Sequence, residues 1–252
     1  MHRFFVDPEL LAQVDLPIHL PDKLAHQVRD VLHLAVGERL ILLDNSGTEF
    51  HGRVTKSGRD GVEISIEERY AGKSEGNVRI ILCQGLLKSA RFEWILEKGT
   101  ELGVSTFIPT LCRRSLSGLE DAGSAKLQRW QRIIQEATEQ CGRARRPELL
   151  AIRPLPQALT TLPSDALGLI PWEEERDLSL HAALQAFHVA KPAEAIRTVV
   201  LFIGPEGGLV PEEIELARHH GVQSVSLGPR ILRAETAALS AVSNVMYELE
   251  QR

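Results

Sequence analysis

The chain has 252 residues, enough for one large domain or two modest ones. Its 43% hydrophobic and 25% charged composition excludes disordered, collagen-like and low-complexity classes. Net charge of −5 excludes a polybasic protein, and 5% aromatics leave few stacking platforms for single-stranded nucleic acid.

Charge is unevenly spread. Arg79–Arg153 holds 13 Lys and Arg against 8 Asp and Glu, a local +5 that leaves −10 elsewhere. A nucleic-acid partner is therefore met by that stretch and by shape. Three cysteines (Cys83, Cys112, Cys141) form no C-x-x-C pair and no H-E-x-x-H occurs, so no metal is expected. The apolar start breaks at Asp7-Pro8-Glu9, unlike a signal peptide. The longest clean apolar run, Val199–Ile203, falls far short of the ~20 residues that span a membrane. The expectation is a soluble cytoplasmic protein that makes no membrane contact.

In chain order, a helix is expected from Asp22 to His33, ended near Gly37, followed by strands at Arg39–Leu43, Glu49–Thr55 and Val62–Ile66. Asn45-Ser46-Gly47 and Ser57–Gly61 between them supply hairpin turns. Residues 1–70 thus read as a small β domain, a barrel or meander. The polar run 71–77 reads as a linker. From residue 78 to 252 the period changes. Strands at Val78–Cys83, Val104–Pro109, Ala166–Ile170, Thr198–Ile203 and Val222–Leu227 alternate with helices. The helices are expected at Ala90–Leu102, Lys126–Cys141, Leu180–Phe187, Glu212–His220 and Glu235–Glu250. Buried continuous strands alternating with helices predict an α/β domain with a mostly parallel sheet covered on both faces.

Three segments carry candidate chemistry. In the first, the strand ending at Ile203 runs into Gly204-Pro205-Glu206-Gly207-Gly208 and then a helix opened by Pro211-Glu212-Glu213. Loops at the carboxyl ends of such strands bind ligands. The pattern is neither G-x-G-x-x-G nor a P-loop, and the acids opening the helix repel phosphate, so a phosphate-free ligand is favoured. The competing explanation is a tight turn that needs glycine for sterics alone. The second is Leu227-Gly228-Pro229-Arg230-Ile231-Leu232-Arg233-Ala234-Glu235-Thr236-Ala237. Its arginines suit an anion or a developing negative charge, unless Arg233 merely pairs with Glu235 or Glu206. The third combines Lys88–Val104 with Arg113-Arg114, Arg129, Arg132 and Arg143-Ala144-Arg145-Arg146. It reads as a phosphate-contacting face, while Glu93, Glu97 and Glu101, spaced four apart on one helix face, fit either a solvated face, the favoured reading, or paired catalytic carboxylates. Glu173-Glu174-Glu175 reads as a solvated loop.

The first two segments together resemble the signature pair of the RsmE family, the uridine N3-methyltransferases of bacterial small-subunit (16S) ribosomal RNA in the SPOUT superfamily. The likeness extends to Lys88, Glu97–Val104, Arg129-Trp130, Glu136-Ala137, Glu139–Arg143 and Pro147. It also takes in Met1–Phe5 and His26 with Val31-Leu32, so it covers nearly the whole chain. Where family members carry arginine after that valine-leucine pair, this chain has His33. The resemblance implies an α/β SPOUT methyltransferase domain with a C-terminal trefoil knot, preceded by a PUA-like RNA-binding β-barrel, in a homodimer.

It also implies that S-adenosylmethionine binds at Ile170, Ile203, Gly204, Pro205, Glu206, Gly207, Gly208, Leu227, Gly228, Ile231, Leu232, Thr236 and Ala237, with the strand end at Leu169–Trp172 beside it. RNA of the assembled small ribosomal subunit is expected at Arg3, His26, Lys88, Arg91, Arg113, Arg114 and Arg143. Uridine N3 carries a proton, so catalysis has to assist its loss or stabilise the resulting anion. Arg233 is expected to stabilise that anion, oriented by Glu235 and Glu206, with the base left among Glu206, Glu235 and water. The rivals are ribose 2′-O-methylation on the same fold and a non-catalytic RNA-binding ribosome-assembly factor. A nucleotide-binding metabolic enzyme is disfavoured because no phosphate-binding glycine motif is present.

Overall fold

A computed structural model describes residues 1–12, 16–72, 75–116, 118, 123–190 and 196–250. Lys73 and Ser74 of the expected linker lie outside the described residues. The chain forms two compact units, residues Met1–Glu75 with Thr138–Arg146, and Gly76–Ala137 with Pro147–Arg252.

The first unit is built on five strands. In chain order they and the helix between them are β1 (His2–Phe5), β2 (Ile18–His19), α1 (Asp22–His26), β3 (Arg39–Leu43), β4 (Thr48–Gly58) and β5 (Gly61–Ala71). The sheet order is β1-β3-β4-β5-β2. β4 and β5 form a long antiparallel hairpin through Gly61, whose φ of 117° only glycine adopts readily. α1 runs on without a break into a π-helical stretch, Gln27–Val31, closed by Leu32 N–H donating to Gln27 O at 2.9 Å, so helix covers most of the span Asp22–His33 that the sequence predicts. The chain reverses at His33, whose φ is 53°. Histidine tolerates this left-handed geometry better than most residues. Phe4, Val28, Leu40, Leu42, Val54, Val62 and Ile64 form the core.

Thr138–Arg146 packs with this first unit, whereas its sequence position assigns it to the second domain. The reason is local. Ala144 is buried with Ile41 and Leu43, Phe5 N–H donates to Glu139 Oε1 at 3.1 Å, and Arg146 N–H donates to Asn45 Oδ1 at 2.6 Å.

The second unit runs β6 (Val78–Gly85), α2 (Ser89–Glu101), β7 (Val104–Leu111), α3 (Ser124–Cys141, whose last turn belongs to the first unit) and β8 (Glu148–Leu149). It continues β9 (Arg153–Pro154), α4 (Leu155–Leu159), β10 (Leu167–Pro171) and α5 (Leu180–Ala190). It ends β11 (Arg197–Ile203), α6 (Pro211–His219), β12 (Gln223–Val225) and α7 (Ala234–Leu249). The sheet is parallel, ordered β12-β10-β11-β6-β7-β8, with β9 also on β7.

Its strands alternate between two cores, as a period of two requires. Val199, Leu201 and Ile203 of β11 pack with residues of α2, α3, α5 and α7, including Trp130. Val200 and Phe202 pack instead with residues of α4 and α6. This is the α/β sheet covered on both faces that the apolar runs predict. Burying one such Leu or Phe stabilises by about 1.5–3 kcal/mol.

Candidate active site

The sheet order puts the carboxyl ends of β12, β10, β11 and β6 side by side. Loops leaving those ends enclose a cavity of about 370 Å³. Pro171 ends β10 and Trp172 and Glu173 follow it, Ile203–Leu209 leave β11, residues from Leu227 to Ala234 follow β12, and Arg91 comes from the first turn of α2. This is where an open parallel sheet offers ligand sites.

The glycine loop has a defined shape. Gly208 N–H donates to Pro205 O at 2.9 Å, closing a turn in which Gly208 has φ of 72°. Across from it, Gly85 ends β6 so close that an added Cβ would lie 2.5 Å from Pro205 N. Only a residue without a side chain lets β6 and the loop approach so nearly. Glu213 then fixes the far end of the loop. Its carboxylate accepts Val210 N–H at 3.0 Å, satisfying a donor at the start of α6, and Arg113 N–H, from the segment after β7, at 2.8 Å.

The loop after β10 is anchored by Glu175. Its carboxylate accepts N–H groups of Arg176 (3.0 Å), Asp177 (2.9 Å) and Leu178 (3.4 Å), the Ser224 hydroxyl, and Arg218 Nη2 at 3.2 Å. The Ser224 hydrogen bond, then the backbone N–H of Asp177, hold its pKa down at about 2. Glu175 is buried. The expectation of a solvated Glu173–Glu175 loop is therefore corrected at this residue: donors from its own loop and from β12 replace the water a buried carboxylate would lose.

Charge in the cavity is balanced, with Arg91, Arg230 and Arg233 against Glu173, Glu206 and Glu235. The pairing differs from the expected one. Arg91 Nη1 lies 3.5 Å from Glu206 Oε1, and Arg91 Nε lies 3.7 Å from Glu235 Oε1. Lys88 N–H, at the start of α2, also points at Glu206 Oε1 (3.4 Å). Arg230 and Arg233 are exposed and make no ion pair among the described residues. The partner of both carboxylates is thus Arg91, and Arg233 is left open to a ligand.

All the residues expected to hold a cofactor line this cavity except two. Ile170 is buried in the core with Phe202, and Thr236, between the lining residues Glu235 and Ala237, is exposed and does not line the cavity. Glu173 and Leu209 line it although the sequence reading did not single them out. Of the residues expected to contact RNA, Arg91 lines the cavity and pairs with Glu206 and Glu235 while its side chain stays 43% exposed. Lys88, Arg113 and Arg114 are exposed, and Arg114 Nη1 donates to Gly207 O at 3.1 Å. Arg3 is clamped on Glu49 by three contacts of 3.0 Å, and His26 lies 2.6 Å from Asp30. Arg143 is buried and forks onto Glu75 at 2.9 and 3.1 Å. Arg3 and Arg143 thus tie their own unit together. Among the described residues no three His, Cys, Asp or Glu side chains gather as a metal would need, and no helix is long and apolar enough to cross a membrane.

Residues 74–246 match the family described as RNA methyltransferase domain, and residues 20–67 match the RNA methyltransferase PUA domain. The chain is 29% identical to the ribosomal RNA small subunit methyltransferase E of Bacillus subtilis, over 99% of this chain and 98% of that one. It is 32% identical to the protein of the same name from Synechocystis, over 99% of this chain and 78% of that one. The crystal structure of the Neisseria gonorrhoeae ribosomal RNA small subunit methyltransferase E bound to S-adenosyl methionine superposes with a TM-score of 0.84. That likeness has 30% identity and covers 98% of this chain and 97% of the other.

Proposed function

This chain belongs to the RNA methyltransferase family of the ribosomal RNA small subunit methyltransferase E proteins, and on that premise we propose that it methylates N3 of a uridine in 16S ribosomal RNA. It is an S-adenosylmethionine-dependent enzyme of ribosomal RNA. The observation that carries the reading is the charge-balanced cavity at four adjacent strand ends, walled by both signature loops.

The residues there suit the cofactor. Ile203, Leu209, Leu227 and Leu232 offer apolar wall. Three arginines against three glutamates suit a zwitterion with a sulfonium better than a polyphosphate. S-adenosylmethionine, when bound, supplies an activated methyl group, so the protein's task is positioning and electrostatics. The Gly204–Gly208 and Leu227–Leu232 loops hold it. Arg233, free of ion pairs among the described residues, stabilises the negative charge that spreads onto O2 and O4 as uridine loses its N3 proton. A guanidinium donates here and accepts no proton.

The finer architecture belongs to the same reading. The second unit is a SPOUT domain whose C-terminal part forms a trefoil knot, and the first is a PUA-like barrel that docks RNA. The enzyme is a cytoplasmic homodimer. Support for the dimer comes from the α5 and α7 side of the second unit, where Tyr247 is 87% exposed beside a second cavity lined by Leu180, Leu184 and Asn244. Lys88, Arg113 and Arg114 supply phosphate contacts, few enough that the assembled subunit's shape completes recognition.

The test is methyl transfer to small subunits from cells lacking the enzyme, with the product nucleoside identified by mass spectrometry. N3-methyluridine is expected. A ribose 2′-O-methylated nucleoside would overturn the target atom, and absence of cofactor binding would favour an RNA-binding assembly factor.

A further inference from the structure

Arg91 is the hub of a three-residue cluster on the cavity wall. Each of its two ion pairs uses an Oε1 atom, of Glu206 at 3.5 Å and of Glu235 at 3.7 Å. Glu206 Oε1 is further occupied by Lys88 N–H. Glu235 is different. Its side chain is only 13% exposed, and its second oxygen, Oε2, is buried without a hydrogen-bond partner among the described residues. Leaving a buried acceptor unmet costs about 1–3 kcal/mol, more for a charged group. Such an atom in a ligand cavity marks a place where a donor arrives with the ligand.

Resting on the uridine N3 reading above, we propose that Glu235 Oε2 takes the N3 proton of the target uridine, and that Arg91 is the residue that positions Glu235 for this. The other charged groups lining the cavity are poorer acceptors. Arg230 and Arg233 are guanidiniums, which accept nothing. Glu173 is exposed, and Glu206 already receives Lys88 N–H and Arg91. By engaging only Oε1, Arg91 fixes the carboxylate and leaves Oε2 for the substrate.

In the step, the N3–H bond breaks and the proton passes to Oε2. The electron pair it leaves on N3 forms the new N–C bond to the methyl group. The pair of the old C–S bond stays on sulfur, and Glu235 later releases its proton to water. Arg91, placed by the sequence among RNA contacts, is instead a positioning residue acting through Glu235.

The experiment uses the full-length enzyme with small subunits from cells lacking it. Single-turnover and steady-state rates of N3-methyluridine formation are measured, and S-adenosylhomocysteine is titrated calorimetrically as a readout independent of turnover. Glu235→Gln is expected to lower the rate at least about 100-fold, the range of a lost general base. Its affinity for S-adenosylhomocysteine should stay within about threefold, far less than the tenfold that 1.4 kcal/mol gives. Arg91→Gln is expected to lower kcat about tenfold with KM for subunits unchanged, and Arg91→Lys to recover part of it.

A Glu235→Gln enzyme at wild-type rate would overturn the proposal. So would a parallel loss of S-adenosylhomocysteine affinity in a variant whose unfolding midpoint is unchanged, which would assign Oε2 to the ligand's ammonium group. A raised KM with unchanged kcat in Arg91→Gln would return that residue to phosphate binding. A different nucleoside from the wild-type enzyme would instead sink the uridine N3 reading itself.

Discussion

Two glutamates, one on the cavity wall and one buried behind the loop that borders it, are treated by the structure in opposite ways. Behind the loop after β10, Glu175 is met by three backbone N–H groups, the Ser224 hydroxyl and Arg218. At the opening of α7, Glu235 shares one oxygen with Arg91 and leaves the other buried and unmet. The cations follow suit. Arg218 donates to Glu175, Ser224 and Glu215, whereas Arg233 has no ion pair among the described residues. Both places are acidic and basic, yet one is saturated and the other open. A saturated polar group rigidifies the loop that holds it, and an open one stands ready for chemistry that a ligand completes.

The open place should fail in rate and the saturated one in stability. Arg233→Ala is expected to lower turnover about 100-fold, the usual loss for one donor to a developing anion, with the unfolding midpoint nearly unchanged. Unchanged turnover on small subunits would remove Arg233 from the account.

Glu175→Gln is expected to lose about 1–3 kcal/mol of stability by denaturant titration. Its pH signature has a definite sign. The folded pKa of about 2 lies below the ordinary 4.5, so the contribution of Glu175 is present above pH ~4.5 and lost as pH falls through about 2. The variant should therefore show a shallower stability loss across that window than wild type, and parallel curves would deny Glu175 its anchoring role.

How far these roles were legible in the sequence depends on sequence separation. The strand ending at Ile203, the glycine loop after it and the loop after β12 are local patterns, and the structure assembles them into one cavity. The parallel pairing of His2–Phe5 with β3 is not local, and a four-residue strand carries too few residues to show its period. Thr138–Arg146 reads as a basic patch because Glu75, Glu139 and Asn45 meet Phe5 and its own arginines only in three dimensions. The same limit hid the Arg91 cluster, whose carboxylates lie more than a hundred residues away. Glu175 looks like its neighbours Glu173 and Glu174 until Ser224 and Arg218 fold against it.

Gly208→Ala extends the comparison to the backbone. At φ of 72° an L side chain is strained by roughly 1–2 kcal/mol, which should appear as a loss of that size in the unfolding free energy measured by denaturant titration. Undiminished stability would show that the turn relaxes to accept a side chain. The smallest effect is expected at Arg113, whose pairing with Glu212 at 3.6 Å leaves both side chains 66% exposed. Arg113→Ala should change stability by no more than about 0.5 kcal/mol. It should also lower the salt slope of subunit binding by about 1, and an unchanged slope would take Arg113 off the RNA face.

The most direct measurement sets Glu175→Gln beside Glu235→Gln, recording for each the single-turnover methylation rate on small subunits and the unfolding free energy. The account predicts a crossed result. Glu235→Gln loses at least about 100-fold in rate while keeping its stability, and Glu175→Gln loses stability while keeping most of its rate. Equal losses of both quantities in both variants, or a Glu235→Gln enzyme that methylates at the wild-type rate, would contradict it.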